Sequence, residues 1–201
     1  SRRRHTRCLS DWSSDVCSSD LANFQLSNGK EMRFIDQRTF GWLAVDLLEE
    51  GIPQIVSHIA RDPFDPEFDK RALVKQILKK RGQIKKVILD QEVVSGIGNI
   101  YADEALWRAK VHPEKIASEL TSTEVLNVIT SAEKIMSKAL AAGGTSFDEL
   151  YINVNGECGY FERSLAVYGR EGEPCRRCSA EIIRIAFANR SSRLCPACQT
   201  R

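Results

Sequence analysis

Apolar residues recur every three or four positions along much of the chain. Val125, Ile129, Ala132, Ile135 or Met136, and Ala139 or Leu140 form one such series, the mark of a helix with a single buried face. Thr121 supplies an N-cap, Glu124 completes a capping box, and Leu120 with Val125 suits a hydrophobic staple. Gly143-Gly144 ends the helix. Upstream, Phe68, Ala72, Leu73, Ile77 and Leu78 make a second stripe that stops before Gly82, with Asp65 as the expected cap and Pro66 in the first turn. Further helices are predicted over Ile84 to Asp90 and Ile100 to Ala109, with Ser95-Gly96-Ile97-Gly98-Asn99 interrupting them. Nearer the start the pattern shortens. Phe24–Leu26, Met32–Asp36 and Trp42–Val45 read as strands, with Ser27-Asn28-Gly29-Lys30 as a hairpin turn. Glu181 to Ala188 alternates as a ribbon strand, after a loop-rich stretch from Thr145 to Gly169. Residues 1–20 have no apolar period and no targeting pattern; they are expected to be disordered or foreign to the protein, so their arginine run is discounted.

The strongest chemical signal is Cys175-x-x-Cys178 followed by Cys195-x-x-Cys198. Each pair sets two thiolates on one tight knuckle, and two knuckles at this spacing close a tetrahedral site around one zinc ion per chain. A pair of disulfides or four free thiols would be the plain alternative. Pro174, Pro196 and the intervening strand argue instead for a zinc ribbon too small to fold without its metal. His5, His58 and His112 lie away from the knuckles and are excluded as ligands.

At 201 residues and 42% hydrophobic the chain suits one or two domains with a sizeable core. No apolar run reaches membrane-spanning length. Cys8, Cys17 and Cys158 are scattered, which suits a reducing compartment. The net charge is only +2, but its distribution is uneven. From Lys70 to Lys86 there are eight basic residues and no acidic one, and from Arg163 onward eight arginines face three glutamates. Such zones fit a polyanionic partner or an ordinary solvated surface equally well. Gly96-Ile97-Gly98-Asn99 could bring backbone amides to a phosphate at a helix N-terminus, though an ordinary inter-helix turn has the same pattern. Asn189-Arg190-Ser191-Ser192-Arg193 would put Arg190 at a ribbon tip able to clamp phosphates.

Together these residues resemble a known family. Ile84-Lys85, Leu89-Asp90-Gln91, Gly96 to Glu104 and Val111-His112-Pro113 resemble the helix–two-turn–helix of bacterial formamidopyrimidine-DNA glycosylases. Gly143 to Ser146, Gly159-Tyr160-Phe161 and Val167 to Cys175 are similar to that family's lesion loop and the approach to its zinc finger. Asp36-Gln37-Arg38-Thr39-Phe40-Gly41 resembles the end of its N-terminal β-sandwich.

The resemblance implies an α+β architecture. Residues 1–20 would be the leader, 21–60 the remnant of the sandwich, 61–150 the helix–two-turn–helix domain, and 151–201 the lesion loop and zinc ribbon. It implies base-excision repair of oxidised purines, 8-oxoguanine and formamidopyrimidine, by flipping the lesion from duplex DNA and then cutting the abasic strand. Arg38 and Phe40 would fill the gap; Lys85, Gly98, Asn99 and Arg190 would face phosphates; Thr145, Ser146, Gly159 and Tyr160 would belong to the loop over the flipped base. The expected partner is double-stranded DNA with oxidised or abasic sites, bound by a monomer in the bacterial cytoplasm at the nucleoid, with no membrane. The family's nucleophile is a terminal proline amine followed by glutamate, whereas this sequence begins with Ser1, and Pro66-Glu67 and Pro113-Glu114 are internal. The sequence therefore reads as truncated, binding DNA without cutting it. An endonuclease VIII-like enzyme for oxidised pyrimidines and a non-catalytic zinc-ribbon module are the alternatives.

Overall fold

The computed structural model describes residues 20–36, 41–49, 51–144 and 161–201. Expectations for residues 1–19 of the leader, Arg38, Phe40, Thr145, Ser146, Gly159 and Tyr160 lie outside these residues. The chain divides into two compact units, residues 1–54 and 55–201.

In the first unit, β1 (Asp20–Gln25) and β2 (Glu31–Ile35) form an antiparallel hairpin. Gly29 adopts φ 77° in the turn and donates to the Leu26 carbonyl at 3.0 Å, as the Asn28-Gly29 signal predicts. Trp42–Val45 is not a strand, contrary to expectation. Trp42, Leu43 and Val45 are exposed and have no partner strand among the described residues. A strand needs ladder bonds as well as β-prone side chains. The next ladder instead pairs β3 (Leu48–Glu49) with β4 (Ile52–Pro53) around Gly51.

The second unit is helical with a terminal ribbon. α1 runs over Lys70–Ile77, and its N-cap is Asp69 rather than Asp65. Asp69 accepts the Arg71 and Ala72 amides at 2.9 and 3.0 Å, satisfying donors that lack helical partners. Asp65 is engaged one turn earlier by the Glu67 amide and the Arg61 guanidinium, both at 2.8 Å. α2 (Ile84–Leu89) and α3 (Asn99–Ala109) flank the glycine turn. α4 (Ser122–Ala141) packs most extensively on α3. Its capping box is complete: Thr121 Oγ1 accepts the Glu124 amide at 3.2 Å, and Glu124 Oε2 accepts the Thr121 amide at 2.8 Å. Leu120 and Val125 are both buried as a staple requires, and Ala139 rather than Leu140 faces the core. Ile77, Ile84, Ile88, Ile97, Leu106 and Ile129 are fully or almost fully buried in that core. Each such side chain contributes about 1.5–3 kcal/mol of transfer free energy.

The ribbon pairs β5 (Ile183–Phe187) with β6 (Arg190–Leu194) antiparallel. Its turn is Ala188-Asn189, with Ala188 at φ 49°. The bridge between Pro174 and Glu181 closes the first knuckle beneath it.

Candidate zinc centre and nucleic-acid interface

Cys175, Cys178, Cys195 and Cys198 present their sulfurs within 4.8 Å of one another. A tetrahedron with Zn–S bonds of about 2.3 Å has edges of about 3.8 Å, so the four thiols fit one zinc ion. The knuckle backbone shapes this cluster. Cys175 donates its amide to the Ala180 carbonyl at 2.8 Å, and Ser179 takes the left-handed φ of 62°. Burial opposes the Cys175 thiolate, but N–H groups of Arg177 and Trp107 aimed at Sγ bring its pKa down to about 6. Burial pushes Cys195 the other way, up to about 12. His112 stands apart from the cluster, with Nδ1 accepting the Glu114 amide at 3.2 Å.

One face of α3 holds the ribbon. Trp107 Nε1 donates to Cys175 Sγ at 3.4 Å, and the Arg177 guanidinium lies 4.2 Å from the centroid of the Trp107 ring. Asp103 accepts Ser192 Oγ at 2.7 Å and the Arg193 amide at 3.1 Å. Glu104, also buried, takes the amides of Ala166, Val167 and Tyr168 at 2.8–2.9 Å and so fixes the approach to the first knuckle. Burial raises the pKa values of both carboxyls, against these donors. In the sequence Asp103 and Glu104 stand only at the close of the Gly96 to Glu104 motif. Their signal was two adjacent acids among Ala102, Ala105 and Leu106, all of them buried.

The structure brings Lys85, Gly98, Asn99 and Arg190 to one place. Gly98 is the N-cap of α3, and the first turn of that helix contains no acidic side chain. Its opening amides have no intrahelical acceptor and carry the positive end of the helix dipole. Asn99 Nδ2 faces the Ser191 carbonyl at 3.4 Å, while Asn99 Oδ1 is buried without a partner. Arg190, next to Ser191, is exposed at the ribbon tip. Lys85 sits behind this surface rather than on it: fully buried, 2.7 Å from Asp103 Oδ1 and 2.9 Å from the Ser191 carbonyl.

The described second unit is thus a set of helices with a four-cysteine ribbon docked on α3. Residues 59–149 match the H2TH domain of formamidopyrimidine-DNA glycosylase, and residues 172–201 match the zinc finger found in FPG and IleRS. Both matched segments are therefore similar to parts of formamidopyrimidine-DNA glycosylase. The chain is 58% identical over 180 residues to formamidopyrimidine-DNA glycosylase of Mycolicibacterium paratuberculosis, covering 88% of this chain and 64% of the relative. The Nocardia farcinica enzyme is also 58% identical over 180 residues, with 61% of its length covered. The chain thus spans less than two thirds of these relatives. Among solved structures, Lactococcus lactis Fpg with abasic-site DNA matches at TM-score 0.65 and 38% identity, covering 72% of this chain and 52% of that one. The same protein with Fapy-dG DNA gives the same values.

Proposed function

We propose that these residues form the DNA-gripping part of a base-excision glycosylase and abasic-site lyase for oxidised purines. The carrying observation is the convergence of the acid-free α3 N-terminus, Gly98 and Asn99 with Arg190 of the zinc ribbon. Amides, a carboxamide and a guanidinium on one surface suit a bent phosphate backbone. Arg38 and Phe40 would fill the space left by the flipped nucleotide, one facing the orphaned base and the other wedging the stack. Thr145, Ser146, Gly159 and Tyr160 would belong to the loop over the lesion. The sandwich remnant, helical domain and ribbon would divide as the sequence suggests, at residues 60 and 150. The relatives' names and the lesion-containing DNA in the Lactococcus lactis complexes support this assignment.

Zinc, when bound, cross-links the knuckles and supplies no chemistry at the lesion. The residues themselves bind and orient: Asn99 and Arg190 hold phosphates, and Asp103 keeps β6 against α3. By resemblance the nucleophile is a terminal proline amine. Among these 201 residues Pro53, Pro63, Pro66, Pro113, Pro174 and Pro196 are all within amides. A polypeptide of this sequence is therefore expected to bind abasic duplex in preference to intact duplex and to form no borohydride-trapped adduct at enzymatic speed. Asn99→Ala and Arg190→Ala should each weaken binding by about 1–3 kcal/mol, the worth of a charge-assisted contact. Wild-type affinity in both variants would refute the interface; a rapid adduct on one residue of this chain would refute the expected lack of cleavage.

A further inference from the structure

Lys85 is the cation that the sequence suggests for a phosphate, yet its ammonium is turned inward. It is paired with Asp103 at 2.7 Å, donates to the Ser191 carbonyl at 2.9 Å and lies 5.2 Å from the Phe187 ring centroid. Asp103 is held from the ribbon side as well, by Ser192 Oγ and the Arg193 amide. Drawing Lys85 out to a phosphate would strand the Asp103 carboxylate in the core without its cation.

The register of β6 connects this pair to the surface. Arg190 and Ser192 are two residues apart and so project from one face of the strand. Phe187, cross-strand partner of Arg190, shares that face and packs under Lys85. Ser191, between the two, offers its carbonyl to both Lys85 and Asn99. A slip of β6 by one residue, about 3.3 Å, would turn Arg190 to the other face.

We infer that Lys85 and Asp103 are a buried positioning pair that fixes the ribbon tip, so that Arg190 and Asn99 act together on the DNA backbone, while Lys85 itself touches no phosphate. The inference rests on the phosphate role proposed above for Arg190.

A double-mutant cycle on the 201-residue, zinc-loaded chain tests it. The probe is a fluorescein-labelled duplex carrying a tetrahydrofuran abasic analogue, with affinity read by anisotropy across a series of salt concentrations. Arg190→Ala should weaken binding about tenfold or more and lower the slope of log affinity against log salt by about one. Lys85→Met should weaken binding about tenfold in the wild-type background, the scale of one lost charge-assisted contact. In the Arg190→Ala background it should add nothing, and the salt slope should stay where Arg190→Ala left it. Zinc content and helical circular dichroism are checked for each variant. Should Lys85→Met lose its zinc, the cycle is run with K85M/D103L, which leaves no unpaired buried charge. Additive losses with a second unit off the slope would make Lys85 a phosphate ligand and overturn the inference while leaving the Arg190 reading intact. Unchanged binding by Arg190→Ala would overturn both.

Discussion

Gly96 and Gly98 stand two positions apart and are glycines for opposite reasons. Gly96 adopts φ 82°, which side chains rarely take, while a Cβ there would lie 3.0 Å from Met136 Cε, the flexible end of a side chain that can give way, so conformation rather than packing demands glycine. Gly98 has φ −88° and ψ 177°, open to any residue, and a Cβ there meets nothing within 4 Å. Nothing described in the chain requires glycine at 98; a backbone approaching from outside would. Gly96→Ala should therefore cost about 1–2 kcal/mol of stability in denaturant unfolding. Gly98→Ala should leave stability within about 0.5 kcal/mol yet weaken duplex binding in anisotropy. Equal stability losses in the two variants would refute the distinction. At this scale the sequence spoke clearly where chemistry is local, as at the four cysteines. It named Lys85 as a phosphate cation but did not show its burial, which depends on Asp103, 18 positions away, and on a ribbon strand about a hundred positions further on.

Among the elements, α4 was the most legible because its signals lie within a few residues of each other. Thr121, Glu124, Leu120 and Val125 suffice to start the helix, and the apolar period shows which face is covered. Trp42–Val45 was misread because a strand depends on a partner that lies elsewhere. The start of α1 was misread because Asp65 and Asp69 are both good caps, and Arg61 and the Glu67 amide occupy the first. The α4 cap also sets a pH response. The Thr121 amide, and then its hydroxyl, hold the Glu124 carboxyl below its usual 4.5. A depressed acid stabilises the fold above its unfolded pKa and loses that contribution as pH falls through the lower folded value. Thr121→Ala should cost about 1 kcal/mol at neutral pH. The difference from wild type should narrow on acidification below 4.5, in urea titrations at a series of pH values. A gap that stays constant would leave the Thr121 hydroxyl without a part in holding the Glu124 carboxylate, its backbone amide being kept in the variant.

For the second unit as a whole, α3 carries the burden of assembly. Asp103 reaches Ser192 and Glu104 reaches residues 166–168, contacts that join segments 62–89 residues apart. No sequence period encodes such pairings, which is why the ribbon was legible as a module and its seat on α3 was not. Metal removal should consequently be felt beyond the knuckles. Chelation is expected to unfold the ribbon, keep most helical circular dichroism, and still lower the melting temperature of the helices, since Asp103 loses Ser192 and the Arg193 amide and the backbone segment held by Glu104 is released. An unchanged melting temperature would mean that the two modules are independent. The seat also contains its own optical gauge. Trp107 gives its indole hydrogen to Cys175 Sγ and lies under the Arg177 guanidinium, so its excited state is set by the metal knuckle. Zinc loss should red-shift and rescale its fluorescence, and with Trp12 and Trp42 replaced by phenylalanine this one chromophore would time the docking of the ribbon in a stopped-flow trace.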